Sequence, residues 1–210
     1  MQGALVVVSG FSGTGKGTVI RRLLETRGGY CLSVSVTTRA PREGEVHGRE
    51  YFFITRDEFQ NMIENDELLE YATYVDNSYG TPESFVREKT QEGMNVLLEI
   101  EIQGALKVKA KHPEALLVFL IPPSAAELEK RLTGRGTEDA ATVRKRLSRA
   151  AEEADVVGAY DYVLINDDLD TCVEELDTLV KIQKCRQFQM ADKVSEIKRD
   201  LKALIGGKTL

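Results

Sequence analysis

An apolar run, Ala4–Ser9, leads directly into Gly10-Phe11-Ser12-Gly13-Thr14-Gly15-Lys16-Gly17-Thr18 and then into a stretch of helical character, Val19–Leu24. That order constrains the fold more than any other feature of the chain. Glycines let a backbone turn tightly and aim several N–H groups at one point. A helix that begins there adds the positive end of its dipole. Strand, glycine-rich turn, lysine and helix in succession are the context a phosphate-binding loop (P-loop) requires. Lys16 is then expected to reach the terminal phosphates of a nucleotide. The spacing departs from G-x-x-x-x-G-K-[ST] in one respect: position 17 is glycine and the hydroxyl comes at Thr18. A Mg²⁺ ion at this loop would be held by Thr18, or mainly by phosphates and water.

Four further apolar runs read as strands: Tyr30–Val36, Asn95–Glu101, Ala115–Ile121 and Tyr162–Asn166. Their β-branched and leucine content suits strands buried on both faces of a parallel sheet. Helical stretches separate them, which predicts an α/β layered fold with a five-stranded, mainly parallel core sheet. Several helix starts are legible. Ser124 precedes Glu127, and Thr55 precedes Glu58, at capping-box spacing. Thr81-Pro82 reads as a cap followed by proline at the first helical position, and Gly93 as that helix's end.

Two segments interrupt the rhythm. Residues 35–82 are rich in Tyr, Thr, Arg and Glu and contain the short run Tyr51-Phe52-Phe53-Ile54, which predicts a small α+β insert. Residues 126–149 carry Lys130, Arg131, Arg135, Arg144, Lys145, Arg146 and Arg149 around Gly134-Arg135-Gly136. That local positive excess suits an anion such as a phosphate chain, and predicts a short lid. The core is then expected from 1–34, 83–125 and 150–210.

Composition narrows the functional class. The net charge of -6 disfavours a general nucleic-acid binder. No apolar run approaches the ~20 residues of a membrane span, and the N-terminus has no signal-peptide pattern. The three cysteines, Cys31, Cys172 and Cys185, are far apart and unpaired with histidine. They read as reduced thiols of a cytoplasmic protein. His47 and His112 have no partner at metal spacing.

A P-loop does not name a substrate, but other segments do. In order along the chain stand Ser35-Val36-Thr37-Thr38-Arg39-Ala40-Pro41-Arg42, Gly44-Glu45-Val46-His47-Gly48, Tyr51-Phe52-Phe53, Glu70-Tyr71-Ala72, Tyr79-Gly80-Thr81, Gln103-Gly104, Pro122-Pro123-Ser124, Arg131-Leu132-x-Gly134-Arg135-Gly136 and Asn166-Asp167-Asp168. Over nearly its whole length the sequence resembles the guanylate kinase family. The Gly-Lys-Gly-Thr variant of the loop is common among nucleoside monophosphate kinases.

The resemblance implies transfer of the ATP γ-phosphoryl group to GMP, with dGMP included in that expectation. ATP would sit on Gly10–Thr18, with Asn166 near its adenine ring and Mg²⁺ accompanying it. Arg39 and Arg42, with the phenols of Tyr51 and Tyr79, match the family's cradle for the GMP phosphate. Arg131, Arg135 and Arg146, with Lys16 and Arg39, match the groups that neutralise the transferring phosphoryl. Guanine would be read by Glu70, assisted by Ser35 and Thr81. One carboxylate can accept both N1–H and the 2-amino group, whereas adenine would leave it facing a lone pair. Where the family usually shows D-x-D before Q-G, this chain has Glu99-Ile100-Glu101. Glu99 is expected to contact GMP, and Glu101, with Thr18, is a candidate at the metal. The alternative is a catalytically silent binding module of the same family. Such modules are expected to lack P-loop glycines or the lysine, which this chain keeps.

From about Leu169 the chain reads as helix to about Leu204, with one break. Met190, Val194, Ile197, Leu201 and Leu204 form a heptad-like stripe. It predicts packing on the protein's own core or pairing with a second copy.

Overall fold

The computed structural model describes residues 2–74, 76–134 and 139–206 of the 210. Five strands form the main sheet: β1 (Leu5–Gly10), β2 (Tyr30–Leu32), β7 (Asn95–Glu99), β8 (Leu116–Ile121) and β9 (Tyr162–Ile165). Their order is β2-β7-β1-β8-β9, all parallel, with β1 at the centre. Between and after them run α1 (Lys16–Thr26), α3 (Glu83–Gln91), α4 (Ile102–Lys111), α5 (Ala125–Thr133), α6 (Ala140–Ala154), α7 (Leu169–Gln183) and α8 (Ala191–Gly206).

The period of two along β1 divides the core. Val6 and Val8 face α1 and α7 and pack with Ile20, Leu23, Val173 and Leu176. Leu5 and Val7 face α3 and α4 and pack with Val86, Ala105 and Val108. Both faces of the central strands are therefore covered, while the edge strand β9 leaves Tyr162, Val163 and Ile165 exposed.

The second sheet has the order β4-β3-β6-β5, from β3 (Val36–Thr37), β4 (Phe52–Phe53), β5 (Leu68–Tyr74) and β6 (Asn77–Pro82). Strands β3 and β4 are parallel, while β6 runs antiparallel to β3 and β5. Helix α2 (Arg56–Glu64) lies within this unit and carries the expected capping box, with both Thr55–Glu58 bonds formed. Its small core holds Val36, Phe59 and Leu68.

Three details differ from the expected elements. The apolar run 30–36 is split: β2 pairs with β7 in the main sheet, and β3 begins the second sheet. Thr81 does not cap α3. The helix starts at Glu83, with Pro82 at the cap and no side-chain bond, because the Thr81 hydroxyl is given to Glu70. Glu101 ends no strand but stands at the N-cap of α4. The break in the C-terminal helix falls at 184–190, between α7 and α8. Among the described residues, no helix is long and apolar enough to cross a membrane.

Candidate active site

The central strand delivers the glycine-rich loop. Gly10 passes so close to β8 that a Cβ there would lie 2.3 Å from the Leu120 carbonyl oxygen. Gly15 caps α1 in the left-handed region, with φ 86°. A Cβ at Gly15 would lie 2.8 Å from Asn166 Nδ2. Side chains are excluded at both points, so backbone lines the loop.

Lys16 folds back over this loop. Its Nζ donates to the carbonyl oxygens of Gly10 at 2.7 Å and Phe11 at 3.2 Å. Burial pulls its pKa below the ordinary lysine value, and Glu101, Glu99 and Glu153 oppose that shift. Thr14 closes the turn: its N–H and its hydroxyl both donate to the Phe11 carbonyl, at 3.2 and 2.9 Å. Thr18 is exposed on the first turn of α1.

Asn166 is buried, and Nδ2 donates to the Thr14 carbonyl at 2.7 Å. Its side chain thus braces the phosphate loop, a role that a strand-end asparagine does not announce. Arg131 joins the same chain of contacts. Nη1 donates to the Asn166 carbonyl at 2.9 Å and Nε to Glu127 at 2.9 Å. Arg146 Nη1 donates to Ser12 Oγ at 3.2 Å. Two of the three basic-segment arginines expected at the reaction are therefore gathered against the P-loop. Arg135, the third, lies outside the described residues.

The second sheet carries the other expected site residues. Glu70 on β5 and Thr81 on β6 are cross-strand partners. Thr81 Oγ1 donates to Glu70 Oε1 at 2.7 Å, and Glu70 is only 8% exposed. Burial pushes its carboxyl above the ordinary range, opposed by the Thr81 hydroxyl and by Lys107. Gly104 of α4 abuts Oε2 directly. Ser35 is half-buried at the start of the same sheet, and its carbonyl accepts from the Phe52 N–H at 2.9 Å.

Arg39 is held on several sides. Nη2 donates to both carboxylate oxygens of Glu45 at 2.9 Å, and Nη1 to the Ala40 carbonyl at 2.8 Å. Its guanidinium carbon lies 5.4 Å from the Tyr51 ring centre and 5.8 Å from that of Phe53. The Tyr51 and Tyr79 rings meet edge-on, with centres 5.9 Å apart. Arg39, Tyr51 and Tyr79 therefore form one cluster. Arg42 is exposed, and its backbone N–H donates to Glu45 Oε2 at 2.7 Å. Glu45, unassigned from the sequence, ties both arginine positions together. The sequence carried it only within the Gly44–Gly48 segment, with no role attached.

The two carboxylates of 99–101 have separate fates. Glu99, expected toward GMP, stands beside the P-loop. Its oxygens lie 3.6 and 3.7 Å from where a Gly17 Cβ would be. Desolvation raises its pKa, and Lys16 lowers it. Glu101, the candidate at the metal, is exposed and accepts from Arg149 Nη2 at 2.6 Å. The donors near the loop fit Mg²⁺ carried by a nucleotide. They are one carboxylate and one hydroxyl, and such an ion keeps most of its waters and takes phosphate oxygens. Among the described residues, no group of three or more His, Cys, Asp or Glu could cage an ion.

One group of side chains gathers a lysine at the glycine-rich turn, and the other a tethered arginine beside two phenols. The fold beneath them is a parallel sheet whose central strand ends in the P-loop, which makes the chain a P-loop kinase. It matches the family model described as guanylate kinase over residues 2–183, and it belongs to that family. Guanylate kinase from Caldanaerobacter subterraneus subsp. tengcongensis is 47% identical over 199 residues, covering 95% of this chain and 97% of that protein. The Bacillus cereus guanylate kinase is 48% identical over 203 residues, covering 95% and 98%. Among solved structures, the crystal structure of guanylate kinase from Anaplasma phagocytophilum aligns with a TM-score of 0.68 and 33% identity. It covers 89% of this chain and 88% of that one.

Proposed function

We propose that the chain transfers the γ-phosphoryl group of ATP to GMP, and to dGMP, giving ADP and the nucleoside diphosphate. The observation that carries this reading is the buried Glu70–Thr81 pair. A carboxylate this deep is costly unless its acceptor sites are filled. Thr81 fills one oxygen. Guanine's adjacent N1–H and 2-amino group are donors that would satisfy the rest. Adenine offers an acceptor at N1 and would leave the charge unpaired.

The reaction needs no strong base. The GMP phosphate has its second pKa near ~6, so an ionised oxygen is available at neutral pH. That oxygen attacks the γ-phosphorus in line, the bond to the β–γ bridging oxygen breaks, and ADP leaves with the electron pair. Positioning and charge neutralisation supply the catalysis. The P-loop N–H groups and Lys16 cradle the β- and γ-phosphates. Lys16 leaves the Gly10 and Phe11 carbonyls to do so. Arg39, Arg42, Tyr51 and Tyr79 hold the acceptor phosphate, and Arg131, Arg135 and Arg146 close on the transferred group. Glu99 and Thr18 would hold Mg²⁺, directly or through water, and the ion supplies neutralisation of the phosphate oxygens. Closure of 126–149 over 35–82 excludes water and limits ATP hydrolysis.

The test is a coupled ADP-release assay with ATP and Mg²⁺ against GMP, dGMP, AMP, UMP and CMP, repeated on Glu70→Gln. Turnover with GMP that collapses in the variant is expected. Turnover with AMP at a comparable rate would overturn the role given to Glu70. No turnover with any acceptor would overturn the kinase.

A further inference from the structure

Arg146, Arg149 and Glu153 follow one another by a helical turn along α6, so they share one face of it. Arg146 reaches Ser12 of the glycine-rich loop. Arg149 reaches two carboxylates at once. Its Nη2 donates to Glu101 Oε2 at 2.6 Å, and its Nε donates to Glu153 Oε1 at 2.9 Å. A planar guanidinium with donors on separate edges suits that span, and a lysine ammonium would not. The Glu153 side chain is 14% exposed, so little water can replace the bond. Glu101 belongs to a different element, at the N-cap of α4. Three residues further along α4, Gly104 abuts Glu70. The bridge therefore ties the helix that backs the buried carboxylate to the helix that carries Arg146. Its place in the chain is also specific. Arg149 is the last cation of the basic segment 126–149, and Ala150 after it is buried in a small core with Leu128, Leu132 and Phe11. The charges of the bridge are felt at the loop. Burial lowers the Lys16 pKa, Glu101, Glu99 and Glu153 work against that shift, and Arg149 works with it.

We propose that the Glu101–Arg149–Glu153 bridge positions Arg146 for phosphoryl transfer by pinning α6 to the start of α4. This rests on the kinase reading given above. Glu101 is then a positioning residue that holds an arginine, in place of the metal role expected for it. Arg149 is a positioning residue too, and acts through Arg146. The length of the side chain at 101 matters on this account. An aspartate there would end one methylene, about 1.5 Å, short of Arg149.

The full chain is compared with Glu101→Asp, Glu101→Gln, Arg149→Met and the double variant Glu101→Gln/Arg149→Met. With ATP and GMP, kcat should fall roughly 3- to 30-fold in each, because misplacing a group by ~1 Å can cost up to about 100-fold. Both KM values should stay within about twofold, since the bridge serves the transferred group and not the binding of either nucleotide. The double variant should lose no more than the worse single variant, because both changes break one link. The Mg²⁺ concentration giving half the maximal rate should not change. Without any nucleotide, the α6 amides that precede Arg149 should exchange with deuterium roughly two- to fivefold faster, as loss of a partly exposed ion pair predicts. Wild-type kcat in Glu101→Asp, additive losses in the double variant, or unchanged α6 exchange would each overturn the proposal. So would a raised Mg²⁺ requirement in the Glu101 variants, which is the metal role. A wild-type chain that turned over no acceptor would instead refute the kinase reading, a result distinct from active variants that match an active wild type.

Discussion

Gly104→Ala is expected to damage GMP recognition while leaving the fold as stable as before or more so. A Cβ at Gly104 would lie 2.8 Å from Glu70 Oε2, 3.3 Å from its carboxyl carbon and 3.4 Å from Ile100 Cδ1. Ordinary contact begins at 3.4 Å, so the carboxylate must give way by about 0.6 Å. Its other oxygen is held by Thr81 at 2.7 Å, so that move strains the bond or rotates the acceptor edge away from guanine. A hydrogen bond to a charged group contributes about 1.5–3 kcal/mol. Loss of one such bond lowers kcat/KM for GMP by roughly 10- to 150-fold. The substitution also replaces glycine inside α4, which favours the helix by up to ~1 kcal/mol. Steady-state kinetics with varied GMP and varied ATP, alongside thermal unfolding, separates the two effects. GMP kcat/KM should fall, KM for ATP should hold, and Tm should not drop. GMP kcat/KM within threefold of wild type would refute the placement of Glu70 as the base reader.

Asn166→Ala leaves the Thr14 carbonyl buried without its donor, which costs about 1–3 kcal/mol. A raised KM for ATP and a lower Tm are expected, read by kinetics and calorimetry. Glu45→Gln releases the two-oxygen grip on Arg39, and KM for GMP should rise roughly two- to fivefold with KM for ATP unchanged. The pH dependence has two opposite signs at Glu70. Its folded pKa is raised, and guanine needs the ionised form, so KM for GMP should climb on the acid side at a pH above the ordinary carboxyl value of 4.5. In the free protein the same raised pKa contributes stability fully present below 4.5 and lost as pH rises through the folded value. Glu70→Gln should therefore raise Tm at neutral pH, with the gain shrinking toward pH 4.5.

What the sequence revealed was mostly local. Strand, glycines, Lys16 and helix are neighbours in the chain, so the phosphate loop reads directly. Thr55 and Glu58 cap α2 by the same local rule. The run 30–36 hid a change of sheet, because an unbroken apolar stretch carries no mark of which strand it will pair with. Thr81 looked like a cap because threonine before proline suits one, yet its hydroxyl serves a carboxylate eleven residues back across a hairpin. Asn166 needed the fold to bring it over Thr14, 152 residues away in sequence. Glu99 and Glu101 are two residues apart, but the strand ends between them, and the start of α4 sends the second toward Arg149. The stripe on α8 was legible as a pattern; that Val194, Ile197, Leu201 and Leu204 stay exposed was not.

The place of β1 in the sheet also sets an order of opening. Its backbone is bonded on both sides, to β7 and β8, and its side chains are buried on both faces. Amides there are expected to exchange with deuterium only through global unfolding. Strands β3 and β4 hold two residues each over a small core, and their amides are expected to exchange through cheap local openings. On the proposed function, the half assigned to GMP can thus breathe while the half assigned to ATP keeps its shape, so acceptor exchange would not loosen the central strand.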